Sequence, residues 1–247
     1  MTAADPLATP ALPALGLFGG RFDPVHRAHV AMAQAAADQL GLSEVRWLVT
    51  AAPVHKPAVA SPAQRLQMVR LALDDLEGTR MVADDREIAL AQGGQANPTW
   101  VTIESLQRDF PGRPLVWIMG GDQLQAFTTW HRWEWLLQNM ALAVCARPGF
   151  EAVASSGEHS APQKAGGLPG EDGASPLRKS PKTATLSSAP PGARILPVSF
   201  TADAVSSSQV RAALSKGLPI DALVPQAVAR FLETHPVYAA GSAAGPS

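Results

Sequence analysis

The 247-residue chain reads as an α/β protein, a Rossmann-like doubly wound parallel sheet in a single domain, and three observations lead there. Short apolar runs alternate with amphipathic segments of helical spacing, glycine and proline punctuate the joins, and 46% hydrophobic residues suffice for one substantial core. The first strand is predicted over 14–18, and the others over 44–51, 79–84, 114–120, 140–146 and 194–200. Helices are predicted over 25–40, 62–76, 99–110, 128–139, 207–215 and 225–235. The first is alanine-rich and stops at Gly41, with Asp23 and Pro24 reading as its N-cap and first helical residue. Ser61-Pro62 and Asn97-Pro98 are cap-plus-proline pairs that open the next two. Strand-loop-helix order sets ligand loops at the carboxyl ends of the strands.

The domain is expected over 12–236, with flexible tails at 1–11 and 237–247. Within it, residues 151–190 hold 24 Gly, Ala, Ser or Pro among 40, with no aromatic residue and balanced charge. Such a segment buries too little apolar surface to offset its ordering entropy, so a disordered insertion is expected rather than a second folded domain. The net charge of −1 offers no field to recruit nucleic acid or an anionic membrane, so anion binding must be local. Cys145, the single cysteine, sits in an apolar run and excludes an internal disulfide; as a buried strand residue it is expected to be inert. No secretion signal or membrane-length apolar run is seen, and the reading is cytoplasmic.

The chemistry concentrates in Gly19-Gly20-Arg21-Phe22-Asp23-Pro24-Val25-His26-Arg27-Ala28-His29. Two glycines let a backbone approach a ligand closely, the following helix start favours anions, and a spacing of three puts His26 and His29 on one helical face, where both imidazoles can donate to one polyphosphate. A glycine loop with two solvated histidines is the plain alternative for either fragment alone. Near the other end, Ser206-Ser207-Ser208-Gln209-Val210-Arg211 opens a helix whose amides and hydroxyls form an anion cradle, with Arg211 about a turn further on as a bidentate clamp. Alone, this is equally an ordinary serine-capped helix.

The first segment resembles the (H/T)xGH signature of the nucleotidyltransferase superfamily, and its FDPxHxxH form looks most like bacterial nicotinate-nucleotide adenylyltransferases. Arg21 stands where a small hydroxyl residue is usual and Ala28 where glycine is usual; neither removes a group the reaction needs. Val205 to Arg211 resembles the family's ISSTxIR, Pro53 to Lys56 its PPHK loop, and Arg65 the arginine that opens its next helix, unless it is only a helix-surface charge. Gly120-Gly121-Asp122 resembles GxD, Thr129-Trp130-His131 resembles TWH, and the stretch with Thr102 resembles PSYTVDTL with one extra residue. Arg147-Pro148-Gly149 resembles the RPG after the fifth strand, and Leu223 to Val228 the closing LPxxV.

The resemblance implies adenylyl transfer from ATP to nicotinate mononucleotide, giving deamido-NAD and pyrophosphate in NAD biosynthesis. His26, His29 and Arg211 would be catalytic. Gly19, Gly20, Phe22, Gly120, Asp122, Ser207 and Ser208 would join them around ATP. Lys56, Thr102, Asp122, Trp130 and His131 would bind the acceptor, with Trp130 a flat face for the pyridine and the amides opening helix 128–139 binding its carboxylate. Trp133 and Trp135 read as packing. Mg²⁺ is expected with ATP, mostly water-coordinated, and no resident protein metal site is expected. Three readings stand beside this one. A pantetheine-phosphate or glycerol-phosphate nucleotidyltransferase would not need the PVHK and TWH segments. A zinc pair at His26 and His29 lacks a nearby third ligand. A nucleotide sensor would bind without turnover. Oligomeric state is not legible.

Overall fold

The computed structural model describes residues 12–51, 58–74, 76–78, 80–94, 98–146, 151–155, 183–187, 191–201 and 205–238. Six strands, β1 (Leu15–Gly20), β2 (Glu44–Val49), β3 (Arg80–Asp84), β4 (Leu115–Gly120), β5 (Ala141–Ala146) and β8 (Ile195–Ser199), form one parallel sheet in the order β3-β2-β1-β4-β5-β8. These are the six strands the sequence predicts. The order reverses at β1 and β4, which pair side by side from Leu15 opposite Leu115 to Phe18 opposite Ile118. Chain order that departs in both directions from this pair opens a crevice at their carboxyl ends.

Strand residues alternate between two cores, as the period of two requires. Phe18, Trp47, Val116, Ile118, Ala143 and Cys145 face one cluster, under helices α1 (Arg27–Leu40), α2 (Pro62–Leu73), α7 (Ser207–Ser215) and α8 (Gln226–Thr234). Leu15, Leu17, Leu48, Trp117, Met119, Leu142 and Val144 face the other, under α4 (Thr99–Asp109) and α6 (Trp133–Asn139). The layers are thus helix, sheet, helix. Burial pushes the Cys145 thiol up to about 12, so it stays protonated and packs as a small apolar group.

Several boundaries differ from expectation for local reasons. Helix α1 starts at Arg27 with His26 as its N-cap, so Asp23 and Pro24 belong to the loop. Asp23 is instead drawn inward by the backbone amides of Val59 and Ala60. The predicted helix 128–139 is two pieces: a 3-10 turn at Phe127–Thr129, and α6 beginning only at Trp133 after a left-handed Arg132. Helices α3 (Arg86–Gln92) and α5 (Gly121–Gln125) were not anticipated; each is too short to show helical periodicity. The composition of 151–190 predicts disorder, yet both ends form strands, β6 (Glu151–Ser155) and β7 (Thr183–Ser187), which pair in parallel with each other; the rest of that insertion lies outside the described residues. Tyr238, assigned to the loose tail by sequence, is 6% exposed and packs in the first core.

Candidate active site

The loop between β1 and α1 is built from aromatic packing. Phe22 is buried at a positive φ of 49°, a conformation that costs a non-glycine residue energy and persists only where the surroundings enforce it. Its ring lies 5.4 Å from Phe18 and 5.2 Å from Trp47, and a Cβ on Gly20 would stand 2.9 Å from that ring. A Cβ on Gly19 would meet the Trp117 indole at 2.5 Å. The two glycines are therefore demanded first by side-chain packing, and Phe22 is a support under the loop.

On that support stand the two histidines. Their rings stack at 3.6 Å and 22°, with His29 edge-on to Phe22 at 5.1 Å. The His26 amide donates to Nδ1 of His29 at 3.2 Å, which leaves the proton of a neutral His29 on Nε2 as an available donor. Among the described residues, Nδ1 of His26 is buried without a hydrogen-bond partner. Burial lowers His26 to about 4, and burial together with His26 holds His29 well below its usual value. Both are neutral in the free protein at pH 7.

Helix α7 docks on the same loop. The Ser206 hydroxyl caps it by accepting from the Gln209 amide, so the helix starts at Ser207, where the sequence places it. Ser207 Oγ donates to the Pro24 carbonyl at 2.9 Å, and Arg211 Nη1 donates to the Asp23 carbonyl at 2.6 Å. The first-turn amides of α7 have no partner within the helix and point out of its end. The structure thus brings together His26, His29, Ser207, Ser208 and Arg211, although 182 residues separate His26 from Ser208.

Arg65 is no surface charge. It is fully buried and donates to three carbonyls: Arg21 O at 2.8 Å, Ala51 O at 3.1 Å and Ala60 O at 3.2 Å. One guanidinium thereby ties the loops after β1 and β2 to the start of α2. Burial pulls its pKa down, and the neighbouring Asp23 opposes that shift.

On the acceptor side, Trp130 is half-buried, edge-on to Trp117 at 5.7 Å and tilted against Phe127 at 5.1 Å. Its amide donates to Phe127 O, and α6 is a single short stretch beginning three residues later. The expected cradle of helix-terminal amides around Trp130 is therefore not formed. His131 lies 6.3 Å from Trp100. Trp133 and Trp135 pack against the second core, as expected. Thr102 is fully buried, its hydroxyl donating to Glu87 Oε1 at 3.1 Å. Burial raises Glu87 to about 7. Gly120 closes β4, where a Cβ would touch Asp122 Oδ1 at 2.7 Å; Asp122 itself is exposed beside the crevice. Lys56 lies outside the described residues.

Glu87 and Tyr238 escaped sequence reasoning, whereas Arg65 was singled out there as either the family's helix-opening arginine or a surface charge. Asp84-Asp85-Arg86-Glu87 looks like a solvated charge run, and only the short helix α3 turns its last member inward.

Among the described residues, no group of three His, Cys, Asp or Glu is placed to hold a metal ion. No helix in them is long and apolar enough to cross a membrane. A cytidylyltransferase-like family model matches residues 17–213. The probable nicotinate-nucleotide adenylyltransferase of Laribacter hongkongensis is 36% identical over 94% of this chain and 97% of its own length. The protein of that name from Stenotrophomonas maltophilia is 35% identical over 90% of this chain and 95% of its own. The chain belongs to the nicotinate-nucleotide adenylyltransferase family. A solved nicotinic acid mononucleotide adenylyltransferase of Plasmodium falciparum, complexed with NaAD, shares the adenylyltransferase fold at a TM-score of 0.62 and 16% identity, covering 92% of this chain and 97% of that one.

Proposed function

We propose that this protein transfers the adenylyl group of ATP to nicotinate mononucleotide, releasing pyrophosphate and forming deamido-NAD for NAD biosynthesis. The observation that carries the reading is the convergence of His26 and His29 with the head of α7 on one loop at the point where the sheet order reverses. A phosphate oxygen of the acceptor attacks the α-phosphorus of ATP as the bond to pyrophosphate breaks. No protein nucleophile is required, and the buried Cys145 offers none. Catalysis is then positioning and charge stabilisation.

The Nε2–H of His29 donates to the phosphate chain as charge builds there, and His26 lies stacked behind it with its own Nδ1 unspent. Arg211 and the open amides of Ser207 and Ser208 hold the departing β and γ groups. Gly19, Gly20 and Phe22 shape the floor, and Gly120 with Asp122 borders the nucleotide from β4. Trp130 stacks on the pyridine, with His131 and Lys56 around the acceptor; Thr102, fully buried and bonded to Glu87, supports that side from within instead of touching the acceptor. With no cage of protein ligands among the described residues, the chain fits an ion that arrives on the phosphates; Mg²⁺ would neutralise their charge while keeping most of its waters. The balanced charge gives no reason to invoke nucleic acid or membrane, and the single cysteine suits the reducing cytoplasm.

Incubation with ATP, Mg²⁺ and either nicotinate or nicotinamide mononucleotide, followed by pyrophosphate release, tests the reading. Release dependent on the nicotinate form is expected. ATP binding without release in either case would leave a nucleotide-binding protein and end the assignment.

A further inference from the structure

Asp23 is a carboxylate at 2% exposure, and a charge so far from water must be surrounded by donors. Its Oδ2 accepts from the Val59 amide at 2.9 Å, and its Oδ1 accepts from the Ala60 amide at 3.0 Å and from the Tyr238 hydroxyl at 2.8 Å. Tyr238 lies four residues beyond α8, and burial beside this carboxylate raises its pKa, so the phenol remains a donor. Arg211 is treated differently. It reaches the Asp23 backbone carbonyl at 2.6 Å and Ser208 Oγ at 3.3 Å, while the carboxylate Oδ2 stands off at 3.8 Å. Arg65, the other guanidinium here, is spent on three carbonyls. One carboxylate therefore faces two guanidiniums without forming the parallel two-bond fork that an arginine and a carboxylate normally prefer.

We propose that Tyr238 is a positioning residue for ATP: by occupying Oδ1 of Asp23, its hydroxyl keeps Arg211 from closing a bidentate pair with that carboxylate and leaves the guanidinium for the polyphosphate. The proposal rests on the reading of Arg211 as a phosphate ligand. An Arg211–Asp23 fork formed in this poorly solvated loop would have to be broken before a phosphate could bind. That cost falls on ATP alone, because the acceptor does not use Arg211. Neither the Val59 nor the Ala60 amide can substitute for the phenol, since both are already bound to the carboxylate.

Tyr238→Phe removes one oxygen and keeps the ring. It is expected to raise the KM for ATP roughly three- to tenfold, the net scale of one intramolecular hydrogen bond gained by the competing pair, with the KM for nicotinate mononucleotide held within about twofold. Val237→Ala serves as control, because Val237 packs partly buried against the same core and makes no bond to Asp23. It is expected to leave both KM values unchanged. Calorimetric titration of the acceptor-free protein with ATP should show the same loss of affinity in Tyr238→Phe. Equal rises in both KM values with a lowered Tm would make Tyr238 a purely structural residue and overturn the proposal, as would unchanged ATP affinity. Should the wild-type protein release no pyrophosphate, the functional reading fails by itself, and the calorimetric arm still decides the role of Tyr238.

Discussion

The donor and acceptor halves of the crevice share aromatic packing and differ in what is added to it. Around the β1–α1 loop, the packing of Phe22 on Phe18 and Trp47 is overlaid by hydrogen bonds from side chains to backbone: Arg65 to three carbonyls, Arg211 and Ser207 to Asp23 and Pro24, and Arg27 to Val224 and Asp221. Around Trp130 the contacts are ring on ring, with Trp117 and Phe127. Directional bonds to backbone fix a loop in one place, whereas aromatic contacts are broad minima that tolerate repacking. The donor half is thus preorganised for charge that develops in the transition state. The acceptor half is suited to opening around a flat ring.

The largest effect should come from breaking the donor half at its centre. His29→Ala removes a preorganised donor and is expected to lower kcat by roughly two to four powers of ten, with circular dichroism close to wild type because alanine suits its position in the alanine-rich helix α1. Turnover within tenfold of wild type would take His29 out of the mechanism. Arg211→Ala should lower kcat/KM for ATP by roughly ten- to a hundredfold, and Arg211→Lys should recover little of it because a point charge cannot make both the Asp23 and phosphate contacts. Full recovery by lysine would reduce Arg211 to a simple counter-charge.

A substitution in the acceptor half should divide the other way. Trp130→Ala is expected to raise the KM for nicotinate mononucleotide by about tenfold, the worth of a stacked aromatic pair, while leaving ATP binding alone. Equal damage to both substrates would show that Trp130 works by supporting Trp117 and, through it, Gly19.

The same contrast explains what sequence could reveal. The donor half is two contiguous motifs whose glycine, histidine, serine and arginine spacings carry their chemistry on the surface of the sequence, and the structure brings both onto one loop. The six strands were legible because short apolar runs alternate with segments of helical spacing; β1, β2, β4 and β5 send residues into both cores. The acceptor half is dispersed over β2, α3, α4 and the 3-10 turn, and its geometry depends on boundaries that periodicity does not resolve. Arg132 in a left-handed conformation splits what reads as one helix, and with it goes the cradle of amides expected for the pyridine carboxylate. Asp23 illustrates a third kind of gap. As Asp-Pro before a helical pattern it matches a cap, yet tertiary donors from Val59, Ala60 and Tyr238 outcompete the local role. No local rule can anticipate a partner 215 residues away.

Glu87 should have the smallest effect on turnover and sharpens the comparison through pH. Its folded-state pKa is raised from 4.5 to about 7, so between those values the folded protein holds a proton that the unfolded chain has lost, and stability must fall as pH rises through that window. His26 works in the opposite sense: lowered from 6.5 to about 4, it is neutral in the folded protein while the unfolded chain binds a proton, so its contribution grows as pH rises from about 4 to 6.5. In the overlap the acceptor-side acid opposes two lowered histidines, His26 and His29, so the wild-type Tm should still rise with pH there, but less steeply than it would without Glu87. Glu87→Gln keeps an oxygen to accept from Thr102 and removes the titration. Its Tm should then climb with pH up to about 6.5, match wild type near pH 4.5, and exceed it at pH 8 by an amount corresponding to at most about 3 kcal/mol. Differential scanning calorimetry across pH 4.5–8 reads this directly. A variant that tracks wild type at every pH would mean that Glu87 is already ionised in the folded protein, and that Thr102 and its neighbours solvate a carboxylate at the acceptor end of the crevice.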